Sequence, residues 1–116
     1  MRYLLMIYES EAERANKSQE DLGVEYEAYN TFTADIQGRG VLLSGEALMP
    51  TNTATTVRVR GGKTLSTDGP FAETKEQIGG FYLVNCKDLD EAIGYAARIP
   101  AASNGSIEIR PIMEFN

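Results

Sequence analysis

The sequence predicts an α+β domain of ferredoxin-like βαββαβ order, here carrying an inserted β-hairpin. Two observations carry that expectation. A strand–helix–strand pattern over residues 2–48 recurs over 78–113, and a clean hairpin pattern lies between the two copies. The length of 116 residues suits one domain, read as spanning 1–116.

Residues 2–8 (RYLLMIY) are apolar on both faces, as in a central strand covered on both sides. Residues 9–17 are polar and read as loop. Ser18 with Asp21 forms a helix-capping pattern, and Leu22, Tyr26, Tyr29, Thr33 and Ile36 then recur at helical spacing. Gly38 and Gly40 stop that helix, and residues 41–48 (VLLSGEAL) form the next strand. After a loop with Pro50 and Asn52, 55-TTVRVR-60 alternates strictly, with Val57 and Val59 opposite Arg58 and Arg60. Gly61-Gly62 is a two-residue hairpin signal, and 63-KTLS-66 is the return strand. Residues 78–86 (IGGFYLVNC) are a strand. Asp88 and Glu91 cap a helix with Leu89, Ala92, Ile93 and Ala96 on one face, and Pro100 ends it. Residues 106–113 close the pattern, with Ile107, Ile109 and Met113 on one face.

Right-handed crossovers place both helices on one face of a four-stranded antiparallel sheet. The other face, with Leu4, Met6 and Tyr8 or their opposite numbers, is left without cover. An exposed apolar face of that size calls for a partner, so a homodimer with two sheets facing each other is expected.

Composition narrows the function classes. The net charge is −6, from 17 acidic and 11 basic residues, which argues against a nucleic-acid footprint. There is no histidine, so imidazole bases, His-ligated metals and Ser-His-Asp triads are excluded. A metal site or a cofactor is not expected. Cys86 is the only cysteine, in keeping with a reducing, cytoplasmic compartment. No run approaches a membrane span, and no membrane partner is expected.

One stretch concentrates ionic chemistry and backbone freedom: 68-DGPFAETKEQIGGFYLV-84. It resembles the signature of the DGPF family within the YCII-related proteins, named for Asp68-Gly69-Pro70-Phe71. Further matches stand at 2-RYLLMIY-8, 45-GEAL-48, 90-DEAIGYAARIP-100 and 108-EIRPIME-114, so the resemblance covers nearly the whole chain. It implies a dimeric α+β barrel fold. Relatives are often encoded beside extracytoplasmic-function sigma factors, and their biochemical activity is largely unassigned. The broader group is associated with a His–Asp pair in a cleft. This chain departs from that pattern, having no histidine.

Asp68 reads as a turn-anchoring carboxylate and, compatibly, as a base or acceptor at a cleft mouth. Glu73, Lys75 and Glu76 are either a solvated charge run or the wall of a site in which neighbouring charges shift a pKa. Arg58 and Arg110 are surface charges or, if they face a cleft, anion ligands. Tyr82 lies in the same stretch as an aromatic group with a polar tip. Gly79-Gly80 reads as a bulge or a close backbone crossing. Two functions fit. The first is a dimer whose cleft binds a small molecule, with scope for cofactor-free acid–base chemistry and Asp68 as the catalytic candidate. The second is a non-catalytic interaction or regulatory module in a sigma-factor system, with the charged run as docking surface.

Overall fold

The computed structural model of the chain describes residues 1–115; Asn116, the last residue of the expected domain, lies outside the described residues. The order is β1 (Arg2–Glu9), α1 (Glu11–Arg14), α2 (Gln19–Gly38), β2 (Leu42–Ala47), β3 (Thr55–Arg60), β4 (Lys63–Asp68), β5 (Gln77–Asn85), α3 (Leu89–Arg98) and β6 (Ser106–Pro111). Short 3-10 turns occupy Thr51–Thr53 and Pro100–Ser103. The main sheet runs β2-β5-β1-β6 with antiparallel neighbours, which is the ferredoxin-like order once the β3–β4 hairpin is set aside.

Alternation along β1 buries Tyr3, Leu5 and Ile7, and β5 adds Tyr82 and Val84 to the same face. Phe32 and Ile36 of α2 and Ala92 and Ala96 of α3 pack on them, so the core lies between one sheet face and two helices. Both expected caps form. Ser18 Oγ accepts from the Asp21 amide at 3.1 Å, and Asp88 Oδ1 from the Glu91 amide at 2.9 Å.

Some local expectations are corrected. The stretch 9–17 contains α1, whose four residues are too few to show periodicity; Ser10 caps it. The buried stripe of α2 runs through Phe32 and Ile36, whereas Tyr26 is 69% exposed. β6 stops at Pro111, leaving Met113 exposed beyond it.

The opposite sheet face carries Leu4, Met6, Phe81 and Leu83, with Leu4 paired to Leu83 and Met6 to Phe81. All four are half-buried. Among the described residues the helices pack on the other face. The β3–β4 hairpin does not cover them either: it forms its own two-stranded sheet and projects from the body. Gly61 and Gly62 at its tip have φ of 58° and 76°, as a primed two-residue turn requires. The molecule is therefore a slab of 48 × 47 × 19 Å with a radius of gyration of 16.3 Å, against about 13 Å for a compact chain of this length.

Candidate functional site

The buried residues of α2, Phe32 and Ile36, lie in its C-terminal half, so that half carries its apolar anchoring. Beneath its N-terminal half the helix-facing sheet positions are Gly45, Ala47 and Gly80, with Ile7 alongside. Small residues below and a helix held up at one end leave a cavity of about 640 Å3. That is within the range of small-molecule sites. Leu22, Tyr26, Tyr29 and Thr33 roof it, Tyr82 closes the inner end, and Met49, Pro50 and Gln77 form its mouth. The glycines are required. A Cβ on Gly80 would come within 2.8 Å of the Glu46 carbonyl oxygen, and one on Gly45 within 2.9 Å of the Tyr82 ring. Gly79, next along β5, has no partner on β1, where Ile7 pairs with Gly80 and Tyr8 with Ile78; this is a bulge.

The polar groups are arranged in two sets. Inside, the hydroxyls of Thr33 and Tyr82 lie 2.7 Å apart. One of their two hydrogens makes that bond, and the other is free to be given to a ligand. Tyr29 stays a neutral phenol, since burial and then the charges of Glu9 and Glu25 push its pKa above the usual 10. At the mouth, Glu25 accepts from Arg14 Nη1 at 2.5 Å and from Lys17 Nζ at 2.8 Å. Glu9 lies 3.9 Å from the same guanidinium. Glu11 ties three segments together. Its amide donates to Gln77 Oε1 at 2.9 Å, and its carboxylate accepts from the Thr51 amide at 2.9 Å and from Thr51 Oγ1.

Burial pushes the Glu25 carboxyl up, but the hydrogen bonds from Lys17 and Arg14 outweigh it and hold the pKa below the ordinary 4.5. A carboxyl depressed on folding stabilises the fold fully above its unfolded pKa and loses that contribution as the pH falls through the folded value. Glu25→Gln is therefore expected to lower the melting temperature at neutral pH. The gap to wild type is expected to narrow once the pH drops below about 4.5, as melting curves across pH 3–7 would show.

Of the ligand-site candidates expected from the sequence, Tyr82 lines this cavity, together with the Gly79-Gly80 pair, expected as a bulge or close crossing. Asp68 ends β4 opposite Thr55 and is exposed, as are Glu73 and Lys75 on the segment returning to β5. Glu76 is half-buried, accepting from Ser106 Oγ at 3.3 Å. Arg58 is exposed on the hairpin, and Arg110 sits on β6 bonded to Glu108 at 3.3 Å. The Asp68-Gly69-Pro70 turn closes the hairpin base: the Gly69 amide donates to Ala54 O at 2.7 Å and Thr56 Oγ1 donates to Gly69 O at 2.8 Å. Sequence reasoning did not select Glu9, Glu11, Arg14 and Glu25, the charged group at the mouth. Among the described residues, no cluster of three or more Cys, Asp or Glu could hold a metal ion, and no helix is long and apolar enough to cross a membrane.

A family model of the YCII-related domain matches residues 1–116. The chain belongs to the YCII-related family. An uncharacterised protein, R00369 of Rhizobium meliloti (strain 1021), is 52% identical over 67 residues, a match spanning 56% of this YCII-related chain and 54% of that protein. The fold is similar to that of 5-chloro-2-hydroxyhydroquinone dehydrochlorinase (TftG) from Burkholderia phenoliruptrix AC1100, solved in complex with 2,5-dihydroxybenzoquinone. The TM-score is 0.52 at 12% identity, over 99% of this chain and 96% of the other. At that identity the likeness establishes a shared α+β architecture.

Proposed function

We propose that this YCII-related protein binds a small organic molecule in the cavity beneath α2. The observation that carries the reading is the cavity itself, about 640 Å3 kept open by Gly45, Ala47 and Gly80. Its chemistry suits an uncharged ring bearing hydroxyl or carbonyl groups. Ile7, Leu22 and the rings of Tyr26 and Tyr29 supply apolar wall, while the Thr33–Tyr82 pair and the Tyr29 phenol supply hydrogen bonds. Carboxylates outnumber the one guanidinium along the lining, which disfavours an anion.

On the same reading the site performs acid–base chemistry without a cofactor. Glu9 is the carboxylate that accepts a proton from the bound ring and Tyr29 the phenol that returns one. TftG is an enzyme on a similar fold, which makes such a use of the architecture reasonable. The site operates within a homodimer, because among the described residues the helices leave the face bearing Leu4, Met6, Phe81 and Leu83 without a helix layer.

The test is thermal unfolding with hydroquinone and catechol as uncharged probes and benzoate as the anionic control. Saturating probe is expected to raise the melting temperature by several degrees. Ala47→Phe, which fills the cavity from the sheet side, is expected to remain folded and lose the shift. Exchange of ring hydrogens with solvent deuterium, lost in Glu9→Gln while binding persists, is the signature of proton transfer. A shift with benzoate alone, or one that survives Ala47→Phe, defeats the cavity reading.

A further inference from the structure

Thr33 and Tyr82 carry the two hydroxyls at the inner end of the cavity, and both stand on firmly packed parts of the fold. Tyr82 is on β5, set between Leu5 of β1 and Gly45 of β2. Phe32 meets its ring edge-on, with centroids 5.4 Å apart and the planes at 71°. A Cβ on Gly45 would press on the same ring, so that side is closed as well. Thr33 follows the buried Phe32 on the anchored half of α2. Its hydroxyl lies 2.7 Å from that of Tyr82, and among the described residues neither makes another hydrogen bond. The ionisable groups of the cavity lie elsewhere. Glu9 is at the mouth, and Tyr29 is in the roof, one turn before Thr33 on the same face of α2.

We infer that the Thr33–Tyr82 pair is an oxyanion site, and that the ligand is a ring ketone or its enol, seated with its oxygen on the pair and an acidic ring carbon towards Glu9. The inference deepens the proposed acid–base site and rests on it. Two hydroxyl oxygens 2.7 Å apart can both reach a third oxygen about 2.7 Å from each. A neutral carbonyl takes one hydrogen bond, because the pair keeps its other hydrogen for itself. An enolate oxygen draws both, exchanging the bond between the hydroxyls for a second, charge-assisted one. The pair therefore holds the charged species more strongly than the neutral one, from positions already set, and that difference lowers a barrier. The carboxylates at the mouth oppose a ligand that arrives charged. A neutral molecule enters, and charge develops on it only at the inner end.

The step balances within the site. A ring C–H bond breaks, its proton passes to Glu9, and the electron pair moves through the conjugated ring to the inward oxygen. Tyr29 gives a proton to a second ring carbon, the carbonyl re-forms, and Glu9 returns its proton to the Tyr29 phenolate. The reaction is a tautomerisation and needs no oxidant or co-reactant.

The test titrates 4-nitrophenol bound to wild type, Thr33→Val, Thr33→Ser and Tyr82→Phe, read by phenolate absorbance; the phenolate stands in for the enolate. Valine and phenylalanine keep the shapes of the side chains they replace, and melting curves check that each variant is folded. The bound phenol is expected to ionise about tenfold more readily in wild type and Thr33→Ser than in Thr33→Val or Tyr82→Phe. Exchange of cyclohex-2-enone ring hydrogens with solvent deuterium is expected to slow about 100-fold in the same two variants. An ionisation constant that both leave unchanged overturns the inference. So does enone exchange that both leave unchanged, or that wild type does not support. Failure of 4-nitrophenol to bind wild type at any pH is a different result: it defeats the cavity reading itself, and the oxyanion site falls with it.

Discussion

Leu5→Ala is expected to destabilise the fold by about 3–4 kcal/mol and to lower the melting temperature by roughly 10–15 °C. Leu5 is fully buried on the central strand β1, between Tyr82 on β5 and Ile109 on β6, beneath the helix layer. Truncation loses the transfer free energy of the removed carbons. It also leaves a hole that cannot collapse, because the strands on both sides are hydrogen-bonded in register. Denaturant titration is the measurement: the midpoint should fall with an unchanged slope, since the surface exposed on unfolding is nearly the same. A loss under about 1 kcal/mol would mean that the interior around β1 is loosely packed.

Gly105→Ala is expected to cost about 3 kcal/mol, for the opposite reason. Gly105 joins the Pro100–Ser103 turn to β6, and its amide donates to Ala101 O at 2.7 Å. A Cβ there would overlap the carbonyl oxygen of Tyr8, whose strand partner is Ser106, and would approach Glu9 Cγ at 3.1 Å. Neither backbone can yield without parting β1 from β6. Gly94→Ala, in the interior of α3 with nothing near the added atom, is the control and is expected to stabilise by about 0.5–1 kcal/mol. Should the two alanines cost the same, the close approach at Gly105 would be refuted.

The architecture was legible because each element declares itself locally. The strict alternation of 55-TTVRVR-60, the capping residues Ser18 and Asp88, and the Gly61-Gly62 turn need no tertiary knowledge. α1 escaped because four residues span barely one helical turn. The face of α2 was misread between Tyr26 and Phe32 because the helix has apolar or aromatic residues at two phases, and tertiary packing chooses between them. The cavity was illegible for a deeper reason. Charge density drew attention to residues 68–76, whereas the space beneath α2 is made by side chains that are missing. Gly45, Ala47 and Gly80 come from two strands, and they become neighbours only once Gly45 is set opposite Tyr82 and Ala47 opposite Gly80. Nothing in either strand alone announces that register.

The uneven anchoring of α2 has a consequence for how this protein can change. Phe32 and Ile36 secure the helix to the core, while Leu22, Tyr26 and Asn30 look onto the cavity and contribute little to that core. Fold maintenance and ligand selection therefore fall on different residues of one helix. Randomising Leu22, Tyr26 and Asn30 should yield a library of folded proteins with altered appetites, and the same partition would let a lineage diversify its substrates without passing through unstable intermediates.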